Sequence, residues 1–154
     1  MANSDRLAEL QLQLPAVPAP VAAYVPATVV GDQVLTSGQL PFVDGVLAYV
    51  GKAGQEVTLE EATRAAQICI LNALSAAAQA AGGLDKIKRV IKLTVFVASA
   101  PDFVDQPKVA NGASELLVSL FGDAGRHVRS AVGVAVLPLN APVEIELSCQ
   151  LNLD

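Results

Sequence analysis

The chain contains few aromatic and few charged residues, and both shortages exclude classes of function. It has no tryptophan, 4% aromatic residues, 16% charged residues and a net charge of -5 at pH 7. A net negative chain does not attract phosphate backbones, and so few rings cannot form the stacking platform of single-strand binders. We therefore expect no nucleic-acid partner.

A membrane span, a secretory signal and a cysteine pattern are also missing from the sequence. Hydrophobic residues make up 53% of it, but polar residues interrupt the longest apolar stretch before the ~18 residues that a span requires. No basic region followed by an apolar one opens the chain, so a cytoplasmic location and no membrane partner are expected. Cys69 and Cys149 lack CxxC spacing and a histidine cluster, which is typical of reduced, buried thiols rather than of a metal site.

The length of 154 residues predicts one domain with a sizeable core. A short amphipathic helix is predicted over residues 4–13, and the prolines from Pro15 to Pro20 then force an extended segment. Residues 1–19 are accordingly expected to form an N-terminal arm and residues 20–154 the domain. The excess of apolar over charged residues fits burial between subunits, although an alanine-rich monomer would have a similar composition.

Turn residues and periodicity predict the element order ββ(β)αβαββ. Thr58 and Glu61 form a capping box that opens a long helix, and Gly82-Gly83 ends it. Helices between the central strands and hairpins at both ends predict an α+β fold, in which two helices pack on one face of a mixed sheet. The predicted strands are residues 27–30, 33–37, 42–43, 46–47, 89–98, 129–136 and 143–150, and the second helix begins near Pro101-Asp102 and ends near Phe121-Gly122.

The segment from Arg129 to Glu146 is predicted to be a strand, a turn and a returning strand with two chemically different faces. In this hairpin Val136 pairs with Val143, Val134 with Ile145 and Val132 with Leu147, which builds one aliphatic face. The other face carries small residues, two carboxylates and an arginine, so we expect another subunit to pack on it. Its members are Arg129, Ala131, Gly133, Ala135, Glu144 and Glu146.

Four ordered motifs resemble the Rid family, also called the YjgF-type or L-PSP endoribonuclease family. They are RSAVGVAVLP from Arg129, LTSGQLP from Leu35 to Pro41, KLTVFV from Lys92 to Val97, and the later Asn111 and Glu115. The resemblance covers roughly residues 20–151. It implies a chorismate-mutase-like fold, a homotrimer with ligand sites between subunits, and hydrolysis of enamines or imines derived from amino acids.

The resemblance assigns the principal roles to Arg129 and Glu144. Arg129 stands where the family's substrate-carboxylate arginine stands, and a planar guanidinium suits a carboxylate. Glu144 matches the acidic residue that acts with water. An alternative is that Arg129 only pairs with an interface carboxylate such as Glu146.

Four further residues match the family's pocket, whereas many relatives have a cysteine where this chain has Ala131, which leaves only its backbone amide to bind an anion. The ring of Tyr24 and the hydroxyl of Ser37 could serve packing and turn capping, and Asn111 could form an exposed pair with Glu115. The resemblance thus adds a substrate-binding set: Tyr24, Ser37, Gly38, Asn111 and the backbone amide of Ala131.

The predicted hairpin separates Arg129 from Glu144 by roughly 20 Å at ~3.3 Å per residue. The two residues could then share a site only if Arg129 came from one subunit and Glu144 from the next. His127, the single histidine, falls on the face of Arg129, but without a nucleophile or second metal ligand it is a weak candidate for a general base.

These observations predict hydrolytic deamination of 2-enamino or 2-imino acids, of the 2-aminoacrylate type, to 2-keto acids and ammonia. No cofactor or metal is expected. A protein that binds a small carboxylate or 2-keto acid without converting it is the alternative. A ribonuclease is less well supported, because the acidic chain has no basic groove.

Overall fold

Within the described residues, 1–19 and 22–153, the computed structural model contains seven β-strands and three α-helices in the predicted order. Pro20, part of the predicted extended segment, lies outside the described residues. The predicted α+β architecture is confirmed, and its elements match the prediction to within a few residues. They are α1 (Asn3–Glu9), β1 (Ala27–Val30), β2 (Gln33–Thr36), β3 (Phe42–Val43), β4 (Val46–Leu47), α2 (Leu59–Ala81), β5 (Ile87–Ala98), α3 (Gln106–Phe121), β6 (Val128–Val134) and β7 (Val143–Leu151).

Five of these strands form one mixed sheet in the order β1-β2-β7-β5-β6, while β3 and β4 form a separate ribbon. β6 runs parallel to β5, and the other neighbours are antiparallel. Because a parallel pair needs a crossover connection, α3 lies between β5 and β6 in the chain and packs back on the sheet.

The long helix α2 begins at the predicted capping box and ends at the predicted glycines. Glu61 N–H donates to Thr58 Oγ1 and Thr58 N–H to the Glu61 carboxylate, while Gly82 closes the helix with a φ of 89°. Alanines on its inner side let the helix lie close to the sheet. At Gly112 on α3 a Cβ atom would collide with the backbone of Thr63, so this glycine sets the close approach of the two helices.

The hydrophobic core lies between the two long helices and one face of the sheet. Leu93, Ile145 and Leu147 are among its fully buried side chains. No helix of the described residues packs on the opposite face of the sheet, where Val128 is 65% exposed. We call it the open face, and it consists of Leu35 on β2, Thr94 and Phe96 on β5, Val128, Ser130 and Val132 on β6, and Glu144, Glu146 and Ser148 on β7.

The predicted hairpin between the last two strands is wrong, because β5 lies between β6 and β7. The short connection after β6 crosses the end of β5, where Ser99 N–H donates to Val134 C=O and Ala98 N–H to Pro142 C=O. The predicted valine pairs across β6 and β7 therefore do not form. Alternation shows that a strand has two faces, but it does not identify the strand's neighbours.

The predicted faces of β6 are inverted for the same reason. Leu93 is buried beneath the helices and pairs with Arg129, so Arg129 and the small residues after it face the helix layer. α3 of the same chain closely approaches one of these small residues, because the Gln106 amide lies where a Cβ atom on Gly133 would stand. The valines of β6 face the open side instead. The lack of a side chain at Gly133 is thus explained by packing within one subunit.

The N-terminal segment is tied to the domain by its helix α1. Asn3 donates to the carbonyls of Leu84 and Ile87, and Ser4 donates to the Asp85 carboxylate through both its N–H and its hydroxyl. The predicted helix therefore forms, although it is shorter than residues 4–13. No helix within residues 1–19 and 22–153 has the length and hydropathy needed to cross a membrane.

Candidate functional site

The guanidinium of Arg129 is held against α3 by two uncharged side chains. Its Nη1 donates to Asn111 Oδ1 at 2.9 Å and to Ser114 Oγ at 3.1 Å. Asn111 and Ser114 lie three positions apart on α3, which puts them on one side of the helix. Asn111 was predicted as a site residue, and the structure brings it into contact with Arg129 of the same chain.

The positive charge of Arg129 has no carboxylate partner among the described residues. The ion pairs there include those of Arg6 with Glu9, Lys108 with Asp105 and Arg126 with Asp123, but none of Arg129. Within one chain Glu146 cannot serve, because it pairs with Thr94 and lies on the open face. Arg129 Nε and Nη2 make no hydrogen bond to a described residue, so they remain available to an anion.

Ser114 extends the contacts of Arg129 to His127. The His127 Nε2 atom lies 2.9 Å from Ser114 Oγ, and its Nδ1 atom lies 2.6 Å from Gly125 C=O. His127 shares the face of Arg129, as predicted from its spacing. Ser114 was missed by the sequence reasoning, although its i+3 spacing from Asn111 could have drawn attention to it.

β6 is the edge strand of the sheet, and no other strand in the described part of the chain pairs with its outer backbone groups. The carbonyl of Val134 accepts from Ser99 beside β5, so the backbone groups of Val134 point toward β5. Because these groups alternate along a strand, the N–H groups of Ala131 and Gly133 point to the free edge. Whether the Ala131 amide binds an anionic ligand stays a prediction.

Glu144 lies in a different environment, on the open face beside Gly38. A Cβ atom at Gly38 would collide with the Glu144 carboxylate, so the glycine makes room for it. Burial raises the pKa of the Glu144 carboxyl above its ordinary value, and the neighbouring Glu146 carboxylate raises it further. Backbone hydrogen bonds between Gln39 and Ile145 hold the Gly38 segment in place.

The remaining predicted residues, Ser37 and Tyr24, lie near the start of this segment. The Ser37 hydroxyl donates to Val25 C=O at 2.7 Å and its N–H donates to Pro26 C=O at 2.8 Å. The hydroxyl of Ser37 is therefore used within the turn. Tyr24 is 61% exposed and is not part of the hydrophobic core.

One chain does not bring Arg129 and Glu144 together. Along β5 they pair with Leu93 and Phe96, which lie three residues apart on opposite faces of the strand. Their Cα positions differ by roughly 10 Å along the strand and two strand spacings across the sheet. The predicted distance between Arg129 and Glu144 along a hairpin is therefore wrong, because β6 and β7 are not neighbours. The two side chains are kept apart instead by projecting from opposite faces of the sheet.

Comparison with known proteins identifies the family. A family model described as "YjgF/chorismate mutase-like, putative endoribonuclease" matches residues 4–151. Protein TCP17 of Trypanosoma cruzi is 46% identical over 147 residues, which cover 95% of this chain and 92% of that protein. The 2-iminobutanoate/2-iminopropanoate deaminase of Escherichia coli K12 is 33% identical over 129 residues, which cover 84% and 88% respectively.

A solved structure agrees with these matches. A protein of unknown function from Agrobacterium tumefaciens superposes with a TM-score of 0.89 at 44% identity, covering 99% of this chain and 93% of that one. The match to the family model spans residues 4–151, and the four motifs quoted above lie within this range. The protein therefore belongs to the YjgF/chorismate mutase-like family.

Proposed function

We propose that the protein hydrolyses small 2-imino acids and their 2-enamino tautomers to 2-keto acids and ammonia. The observation that carries the proposal is the guanidinium of Arg129, which is held only by Asn111 and Ser114 and has no neutralising carboxylate among the described residues. A fixed, uncompensated guanidinium with two free donors suits bidentate binding of a carboxylate. A relative at 33% identity is named as a deaminase of this substrate class.

The proposed site takes Arg129 from one subunit and Glu144 from the next. Each chain holds these residues on opposite faces of its sheet, so a neighbouring copy must supply the second group. The open face supports this arrangement, because its exposed valines and Leu35 are surface that a homotrimer would bury. The unpaired edge of β6 lies beside Arg129, where the Ala131 amide would bind the substrate carboxylate.

The chemistry then needs one water molecule and one proton relay. Water adds to the imine carbon, and Glu144 passes a proton from that water to the nitrogen, which gives a carbinolamine. Glu144 then passes the hydroxyl proton to the same nitrogen, and the carbonyl forms as the carbon-nitrogen bond breaks with its electron pair leaving on ammonia. The products are a 2-keto acid and ammonia, with no change of oxidation state and no cofactor. A carboxyl group whose pKa is raised by burial is closer to the working pH of a relay.

A coupled assay tests this proposal. Freshly generated 2-aminoacrylate and 2-iminobutanoate are supplied, and ammonia release above the uncatalysed rate is measured. Arg129→Ala should raise KM strongly, and Glu144→Gln should lower kcat by about 10²-fold or more, as expected when a proton relay is removed. Arg64→Ala is the matched control, because Arg64 is an exposed arginine on α2.

The alternative function is binding of a 2-keto acid without turnover, which needs Arg129 but not Glu144. If wild-type protein binds 2-oxobutanoate but does not accelerate the loss of any imine, the binding function is correct. The endoribonuclease named in the family description receives no support from a chain with a net charge of -5. Salt-sensitive cleavage of RNA by the purified protein would contradict our proposal.

A further inference from the structure

The imidazole of His127 lies between a backbone carbonyl and the Ser114 hydroxyl. Gly125 C=O can only accept a hydrogen bond, so the 2.6 Å contact requires the proton on Nδ1. In the neutral ring Nε2 then has no hydrogen and must accept. The 2.9 Å contact with Ser114 is therefore a bond donated by the Ser114 hydroxyl to Nε2.

This bond determines what Ser114 offers to Arg129. A serine inside a helix commonly donates its hydroxyl to the carbonyl four residues earlier, here Ala110. With its hydrogen directed to His127 instead, the Ser114 oxygen turns its lone pairs toward Arg129 Nη1.

Arg129 Nη1 therefore has no hydrogen left to donate to a ligand. Its two hydrogens are taken by Asn111 Oδ1 and Ser114 Oγ. The unoccupied donors are then Nε and Nη2, which lie along one edge of the guanidinium and match the two oxygens of a carboxylate.

We propose that His127 is a positioning residue, which acts through Ser114 to fix the edge of Arg129 that faces the ligand. The inference rests on the proposed role of Arg129 in carboxylate binding, but it concerns the orientation of the side chain. It gives the single histidine of the chain a role other than that of a general base.

The tautomer of His127 provides a direct test. Because the protein has one histidine, the ¹⁵N signals of its ring need no assignment. At pH 8 we expect the Nδ1–H tautomer, with Nε2 shifted by an accepted hydrogen bond that Ser114→Ala removes. An Nε2–H tautomer, or a ring that Ser114→Ala leaves unchanged, would overturn the proposal.

The mobility of Arg129 is the second readout and needs no ligand. Restricted rotation of the guanidinium should give separate Nη1 and Nη2 signals in wild type, assigned by their loss in Arg129→Lys. In His127→Leu these signals should merge, whereas His127→Gln should keep them separate, because the Gln Oε1 atom can replace Nε2 as acceptor. If wild type, His127→Leu and His127→Gln show the same pattern of Nη1 and Nη2 signals, His127 does not position Arg129.

Calorimetric binding of 2-oxobutanoate connects this arrangement to affinity. His127→Leu should weaken binding about 3- to 10-fold, the usual effect of one lost hydrogen bond, and His127→Gln should restore most of it. The double variant with Ser114→Ala should bind no more weakly than Ser114→Ala alone, since His127 acts through that residue. If the losses of affinity caused by His127→Leu and Ser114→Ala add up in the double variant, His127 does not act through Ser114.

The two proposals can fail separately. If wild type binds 2-oxobutanoate and hydrolyses no imine, the deaminase proposal fails, while the tautomer and mobility measurements still decide the role of His127. Circular dichroism and thermal unfolding of each variant confirm that the fold is retained, so that a loss of binding reflects the site.

Discussion

Arg129 and Glu144 lie on opposite faces of one β-sheet. Arg129 is paired with Leu93 and faces α3, whereas Glu144 is paired with Phe96 and faces the open side. A site that uses both residues must therefore be completed by a second copy of the chain. This relationship leads to the first of five predictions.

Mixing two inactive variants should restore activity. Arg129→Ala keeps Glu144, and Glu144→Gln keeps Arg129, so the proposed homotrimer, once mixed, would contain some interfaces with both native residues. For random exchange between equal amounts, about one quarter of the sites should be complete. Ammonia release before and after mixing is the measurement, and native mass spectrometry verifies the exchange. If exchanged trimers stay inactive, Arg129 and Glu144 do not share an intersubunit site.

Asn111→Asp should weaken carboxylate binding while keeping the shape of the side chain. The oxygen that accepts from Arg129 at 2.9 Å is retained, but its new negative charge neutralises the guanidinium. We expect affinity for 2-oxobutanoate to fall by about 10-fold, since charge-assisted bonds contribute more than neutral ones. Asn140→Asp adds the same charge at an exposed residue and should leave affinity unchanged. Unaltered binding by Asn111→Asp would exclude Arg129 as the carboxylate ligand.

Gly38→Ala should impair catalysis more than folding. The new methyl group would collide with the Glu144 carboxylate, which can move toward the open face at little cost to the core. We therefore expect lower kcat with a small change in melting temperature. Gly31→Asn is the control, because no atom lies within 4 Å of a Cβ there and asparagine tolerates its φ of +61°. Equal kcat for both variants would show that the position of Glu144 is unimportant.

Glu144 should make the protein less stable as the pH rises. Its folded pKa is raised by burial and by Glu146, so the folded state holds the proton more tightly than the unfolded state. The resulting stabilisation is complete below the unfolded pKa and is lost as the pH rises through the folded pKa.

Glu144→Gln removes this effect and should raise the melting temperature relative to wild type at pH 7, with a smaller difference at pH 4. Thermal unfolding across this range is the measurement. Glu115→Gln, an exposed glutamate on α3, is the matched control. If the gain in melting temperature of Glu144→Gln over wild type becomes smaller as the pH rises, the pKa of Glu144 in the folded state is lowered instead.

Thr58→Ala should destabilise the fold without altering the site. The threonine hydroxyl accepts from Glu61 N–H at the first turn of α2, and loss of such a cap costs about 1 kcal/mol. Urea unfolding should show this loss, while KM for the imine stays unchanged. Thr28→Ala, at an exposed position on β1, should be nearly neutral. Equal unfolding midpoints for the two variants would show that the capping box contributes little.

Local signals predicted the elements well because each depends on neighbouring residues. The capping box at Thr58, the glycines that end α2 and the short strands 42–43 and 46–47 all appear where the sequence places them. The hairpin prediction failed because the partner of β6 is β5, more than thirty residues away in the chain. A short connection and matching valines are equally compatible with a hairpin and with a crossing over β5.

The same distinction applies to the candidate site. The resemblance to the Rid family identified Arg129, Glu144 and Asn111 as residues of interest, because its motifs are local in the sequence. Ser114 and the role of His127 were missed, since their contacts depend on how α3 crosses β6. Whether the predicted pocket residues Tyr24 and Ser37 contact a ligand stays a prediction.

The amino-acid sequence by itself determined the order of helices and strands, the α+β class and the family, because periodicity, caps and motifs are local properties of the chain. Tertiary structure alone decided that β5 separates β6 from β7, which directs Arg129 toward α3 and Glu144 toward the open face. The physical reason is that strand pairing over long sequence separations depends on the total burial of both sheet faces. No single segment contains that information.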